Sequence, residues 1–273
     1  RPHGQPVPDT LDWDLWIGPA PTRPFHPDYL LCQWPWTEKE TGVLGWPNWR
    51  DFSGGFLSGA GAHAINLAFK ALDMQSLWED AGDYRTIRVT TEISDRCPEN
   101  FPRCQFLHFS IPAHGAIPES QIHWHQAFES NAERLAVLDR LEKLAGGPLV
   151  NKGSWVPNSF VLVVGEKGMA FANFHNSKCT LLPEKDFPDA GGPPQKLPCS
   201  GSHEREWAAA CKGGPRAISN FDYSGPAAEF LNLGNIASLV DRPLEYDPIA
   251  MRIIGDDEAD GLLNPPYREG WTL

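Results

Sequence analysis

Residues 50–74, RDFSGGFLSGAGAHAINLAFKALDM, constrain this chain more than any other stretch. Glycines crowd the first half (Gly54, Gly55, Gly59, Gly61). Ala64, Ile65, Ala68, Phe69, Ala71 and Leu72 then recur every three to four residues. That spacing is the period of an amphipathic helix with one face on a core. His63 stands where the glycine segment passes into the helix. Glycine lets backbone approach a ligand closely, and a helix start offers N–H groups that lack intrahelical partners. A small-molecule site is expected here, with His63 beside it.

Residues 59–64, GAGAHA, also fit G-x-G-x-x-G/A, the dinucleotide-binding fingerprint. That loop works only between a buried strand and the first helix of a βαβ unit. Residues 49–56 (WRDFSGGF) are polar and broken by glycine, and an acidic, irregular segment follows Leu72. The context fails. The expectation is a glycine-lined helix start packed against a sheet, with no coenzyme bound to it.

The rest of the chain supplies that sheet. Residues 85–93 (RTIRVTTEI), 105–111 (QFLHFSI) and 120–125 (SQIHWH) alternate and are rich in β-formers, so they read as strands joined by short turns. In residues 130–144, Ser130 and Glu133 form a capping box. Leu135, Leu138, Leu141 and Leu144 mark one helical face, and Gly146-Gly147 stop the helix. Two more strands, 160–164 and 169–174, flank the turn at 165–168. A proline- and glycine-rich loop spans 179–202. Helices are predicted at 203–211 and 225–240, residues 248–254 suit strand or helix, and the tail opens helically and ends in PYREGWTL. The fold class predicted is α+β, a mostly antiparallel open sheet with helices on one face.

Ahead of it, residues 1–49 carry nine prolines and many of the eleven tryptophans. Proline at that density forbids long helix and interior strand, so an extended arm is expected before an α+β domain at 50–273. Such aromatics either stack on sugars or pack a long irregular segment. The net charge of -12 argues against nucleic acid and anionic membrane surfaces, since both need basic patches. No apolar run reaches membrane-spanning length. Cys97 with Cys104, and Cys179 with Cys199, bracket turns that either hold disulfides or leave free thiols.

Several segments, in order, look like the motifs of one family: LDWDLWIGPAPTRPFHPDY (11–29), WRDFSGGFLSGAGAH (49–63), VVGEKGMAF (163–171), EWAAACKGG (206–214) and FDYSGPAAEFLNLGNIA (221–237). LEYDPIAMRI and YREGWTL complete the set. The chain resembles the glucose–fructose oxidoreductase/inositol dehydrogenase family, in its secreted, tryptophan-rich bacterial branch. The resemblance implies a two-domain enzyme in which a Rossmann domain holds NAD or NADP. A second, α+β domain closes the substrate site and pairs subunits through its open sheet face. This chain resembles the second domain only, so the nucleotide-binding domain is expected to lie outside it. The implied substrate is a small sugar or polyol. The implied location is periplasmic or extracellular, with cytoplasmic as the alternative.

On that resemblance His63 occupies the position that handles the substrate's hydroxyl proton. The family's two loop aspartates are replaced by Gly59 and Asn66, which should weaken the base. Trp49 and Trp124 are candidate stacking platforms for sugar. Asp222 and Tyr223, with Asn220, resemble a loop near the substrate. A non-catalytic structural or carbohydrate-binding protein is the alternative.

Other constellations carry weaker chemistry. His123 and His125 alternate on one strand, with His108 and His114 on adjacent segments. They are candidates for half a zinc site, against a polar sheet face. Asp12 and Asp14 suit turn formation better than glycoside cleavage, and His203 with Glu206 suits a helix start.

Overall fold

The computed structural model describes residues 1–32, 45–79, 85–94, 96–127, 131–149, 159–188, 199 and 201–272. The leading segment is held by ring packing. Asp12 caps the short helix α1 (Trp13–Ile17), its carboxylate accepting from the Leu15 N–H. The rings of Trp13, Trp49 and Phe52 all pack on Tyr29, at centroid distances of 5.2–6.0 Å. Arg23 is buried among them, 4.6 Å from the Phe52 centroid and ion-paired to Asp51. At the far end of the chain, Arg268 returns to bond Asp14 and the Gly18 carbonyl.

Helix α2 (Gly55–Ala71) begins eight residues before His63, so the expected glycine loop is itself helical. The physical reason is packing. A Cβ on Gly61 would lie 3.1 Å from the Leu231 side chain. Gly61 thus thins α2 on the side where another helix presses on it. Gly55 has a positive φ of 65°, and the Phe101 ring lies where a side chain would go.

Strands β1 (Ile87–Ile93), β2 (Gln105–Ile111) and β3 (Ser120–Gln126) match the alternating segments and pair antiparallel. Helix α3 (Ala132–Ala145) follows. Its cap is Asn131, whose side-chain oxygen accepts from the Arg134 N–H. Ser130, the expected cap, lies outside the described residues. Gly146, at φ 76°, closes the helix as expected.

Strands β4 (Phe160–Gly165), β5 (Gly168–Asn173) and β6 (Cys179–Leu182) build a separate three-stranded sheet. β6 falls inside the stretch expected to be loop, because Thr180 and Leu182 find partners on β5. Helix α4 (His203–Cys211) is capped by Ser202. Helix α5 (Phe221–Val240) starts four residues earlier than its apolar run, since Asn220 caps it and Pro226 sits within its second turn. β7 (Leu244–Asp247), β8 (Arg252–Ile253) and α6 (Asp257–Gly261) complete the order.

The larger sheet runs β3-β2-β1-β7-β8. On one face, Ile87, Val89, Leu107, Phe109, Ile111, Leu244 and Tyr246 are buried with Leu57, Phe69 and the apolar side of α5. α5 lies so close that a Cβ on Gly234 would stand 2.7 Å from Leu107 and Leu57. A second cluster joins Ala145 and Leu149 to the small sheet through Met169, Phe171 and Leu182. The class is α+β, as the sequence predicts. All six cysteines fall within the described residues, and none forms a disulfide.

Candidate functional site

The outward stripe of α2 carries the first cluster. His63, Asn66 and Lys70 are spaced by three and four residues, so they stack along one side of the helix. The turn between β5 and β6 comes up against the top of that stripe. The His63 and His175 rings stand edge to face with centroids 5.3 Å apart, and Phe174 lies 6.1 Å from His63. Asn176, in a left-handed conformation (φ 55°), donates its amide to the His63 and Ala64 carbonyls and fixes the turn on the helix.

The first turn of α5 meets the lower half. The Tyr223 hydroxyl donates to the Asn66 side-chain oxygen, and the Lys70 ammonium lies 4.0 Å from the Tyr223 ring centroid. Burial raises the Tyr223 pKa, so the phenol stays protonated as a donor. His63 is exposed and, among the described residues, forms no ion pair with a carboxylate. Imidazole, amide, phenol and ammonium therefore line one surface strip. This strip can bind hydroxyl groups and move a proton at the His63 ring.

The other expected site residues are used elsewhere. Trp49 is 4% exposed, with Arg23 and Tyr29 against its ring, so it presents no free face to a sugar. Trp124 is partly buried on the inner face of the sheet, 3.7 Å from where a Gly61 Cβ would be. His63, two residues after Gly61, points about 200° away around the helix. Trp124 also packs on the cluster of Ala60, Ala64 and Phe174, and Phe174 is the ring 6.1 Å from His63. Asp222 pairs with Arg216 at the surface. Of the five residues singled out, His63 and Tyr223 border the same stripe of α2, Tyr223 through Asn66 and Lys70.

Lys70, His175 and Asn176 were missed. Lys70 could have been found from its helical spacing to His63. The other two could not, since 113 residues separate His63 from Asn176 and only the tertiary fold joins them.

A second cluster lies on the outer face of the large sheet. His108 and His123 are directly opposite across β2 and β3, with their Nδ1 atoms 2.7 Å apart. His125 is 5.9 Å from His108 and 6.1 Å from His123 between ring centroids. Burial, then His108 and Arg140, lowers the His123 pKa. Burial first, then His108, His123 and Arg140, brings His125 to about 4. His114 is not part of this group: it is 2% exposed and its two ring nitrogens face the Pro112 and Leu72 carbonyls. Among the described residues, no group of three or more His, Cys, Asp or Glu side chains is arranged to hold a metal ion.

The weaker acidic candidates resolve into structure. Asp12 caps α1, Asp14 pairs with Arg268, and Glu206 accepts from the Ile218 N–H.

Residues 148–273 match the family model described as Oxidoreductase family, C-terminal alpha/beta domain. This is the Gfo/Idh/MocA group whose motifs the chain resembles. The matched part runs from before β4 to the end of the chain. It carries α5 with Asp222 and Tyr223, and the turn with His175 and Asn176. It does not include His63. No curated protein matches the chain.

Gly59 and Gly61 do not fit a nicotinamide coenzyme. Both lie inside α2, where backbone N–H groups are committed to the helix, and Gly61 is covered by Leu231 and Trp124. Among the described residues, no helix is long and apolar enough to cross a membrane.

Proposed function

We propose that this chain is the substrate-facing and subunit-pairing domain of an oxidoreductase acting on a small sugar or polyol, with NAD or NADP held by residues outside it. The observation that carries the proposal is the α2 strip. It joins His63, which the motif resemblance singles out, to Tyr223 and His175 in the segment that matches the oxidoreductase C-terminal domain. In this reading a substrate hydroxyl lies against the His63 ring, which accepts its proton. Tyr223, held by Asn66, and the ammonium of Lys70 orient neighbouring hydroxyls. The chain is read as an arm at 1–49 and a domain at 50–273. The outer face of the large sheet serves self-association, and the location is that of the secreted bacterial branch, periplasmic or extracellular.

The test is an oxidation assay on the complete gene product with NAD and NADP against hexoses, pentoses and inositols, with His63→Ala beside it. Coenzyme reduction with one of these, lost in His63→Ala, is the expected result. If no coenzyme is bound and none is reduced by any of them, the proposal fails.

One observation favours a second reading, a non-catalytic carbohydrate-binding or structural protein. The two positions where the family places aspartates hold Gly59 and Asn66, and Asn66 is tied to Tyr223. Sugar binding by calorimetry that persists without any coenzyme turnover would select it.

A further inference from the structure

The α2 strip is one-sided both in charge and in the hydrogen bonds it can offer. Helix α2 contains no aspartate or glutamate, and Lys70 is its one lysine or arginine. The turn docked on it, FHNSK at 174–178, adds His175 and Lys178 and again no acid. In the first turn of α5, Asp222 is already ion-paired to Arg216. Asp73, beyond the C-terminal end of α2, forms no ion pair with Lys70 among the described residues. The chain as a whole holds 35 acidic against 23 basic residues, so a strip this poor in carboxylates departs from the rest of its surface.

The polar groups left open are donors. The Tyr223 hydroxyl donates to the Asn66 side-chain oxygen, so what Asn66 has left to offer a ligand is its N–H2. Lys70 is four residues further along the same side of α2, with its ammonium 4.0 Å from the Tyr223 ring centroid. The ring takes one side of the ammonium and leaves the remaining N–H donors to the exposed side of the residue.

We propose that the substrate of this strip is a sugar acid, a uronate or an aldonate. Its carboxylate is bound by the Lys70 ammonium and the Asn66 amide, and one of its hydroxyls lies against His63. This rests on the oxidoreductase reading above and names the substrate class within it. A hydroxyl both donates and accepts, so a pair of pure donors leaves its hydrogen unmatched; a carboxylate only accepts. One ammonium balances one negative charge, which suits a carboxylate better than a phosphate dianion.

The spacing along α2 selects a sugar acid over a small 2-hydroxy acid. Asn66 and Lys70 follow His63 by rises of about 4.5 and 10.5 Å at 1.5 Å per residue. Helical side chains lean toward the N-terminus, so Lys70 leans toward Asn66, in keeping with its contact to Tyr223. The carboxylate then sits about one helical turn, about 5 Å, from the imidazole. That separation puts the acid group and the reacting hydroxyl on carbons several bonds apart, as in a uronate or aldonate. The carboxylate serves as a handle and takes no part in bond making.

The experiment uses the complete gene product with glucuronate, galacturonate and gluconate beside glucose, galactose and glucose-6-phosphate, read by calorimetry and by coenzyme reduction. One of the three sugar acids should bind at least tenfold more tightly than its neutral parent, and added NaCl should weaken that binding. Lys70→Met should cost at least tenfold of the sugar-acid affinity and leave neutral-sugar binding unchanged. Lys70→Arg should restore most of it, and Lys143→Met on α3 should change nothing. Thermal melts establish that the variants are folded; should Lys70→Met unfold, Lys70→Gln takes its place. Lys70-dependent binding of a sugar acid without coenzyme reduction supports the inference and sinks the oxidoreductase reading alone. Neutral sugars oxidised in a His63-dependent reaction, with sugar acids bound no better, overturn the inference and leave that reading in place. Tighter binding of glucose-6-phosphate than of any sugar acid, or no binding of any, also overturns it.

Discussion

Gly61 and Gly234 offer a paired test of how this core is built. Both lie in the interior of a helix, α2 and α5, so exchanging either for alanine gains about 0.8–1 kcal/mol of helix propensity. They differ in what the new methyl group meets. At Gly61 the nearest atom is Leu231 Cδ2 at 3.1 Å, and that side chain needs to give by only a few tenths of an ångström. At Gly234 the methyl would stand 2.7 Å from both Leu107 Cδ1 and Leu57 Cδ2 and 3.0 Å from Phe109 Cζ. Those three side chains are at most 1% exposed, so none can move into solvent. Overpacking of this kind costs about 1–3 kcal/mol. Gly61→Ala should therefore be neutral or slightly stabilising, and Gly234→Ala should lose up to about 2 kcal/mol net of the helix gain. The two variants should differ by about 1–3 kcal/mol in urea unfolding with equal m values. If Gly234→Ala proves as stable as Gly61→Ala, the close approach of α5 to the sheet is not what selects glycine there.

Two further perturbations are single-site. Glu229 is raised in pKa by burial, while the Trp78 indole N–H that it accepts at 2.9 Å acts in the opposite direction. An acid whose folded pKa lies above its unfolded value, about 4.3, binds more protons folded than unfolded, so stability falls as pH rises through that window. Glu229→Gln keeps an acceptor for Trp78 and should gain on the parent protein from about pH 4 upward; a gap that does not change with pH would contradict this. Asn131→Ala removes the α3 cap and should cost about 1 kcal/mol in denaturant unfolding, most of it recovered by Asp at the same position.

Much of the fold could be read from the sequence, and the exceptions share a cause. The three strands β1, β2 and β3 follow from alternation alone, because a sheet with one buried face imposes period two. The structure starts α2 earlier than the sequence predicts because glycine's own propensity disfavours helix. Here its value lies in the contact between Gly61 and Leu231, which belongs to two helices and is written in neither. β6 was hidden for a similar reason: four residues among prolines become a strand only because β5 offers partners.

The same distinction runs through the two side-chain clusters. His63, Asn66 and Lys70 share a helical stripe, so their alignment is a property of spacing that any reader of the sequence could recover. What the stripe faces depends on how a turn at 174–176 and the first turn of α5 dock on α2, and no local pattern encodes that. Trp124 shows the hazard directly. It resembles a sugar platform in composition, yet its register opposite Leu107 turns it to the inner face. The same register turns His123 and His125, one residue to either side, to the outer face. A shift of β3 by one residue would exchange the two sets. The pairing of β2 with β3 therefore decides at once that Trp124 packs the core and that His123 meets His108.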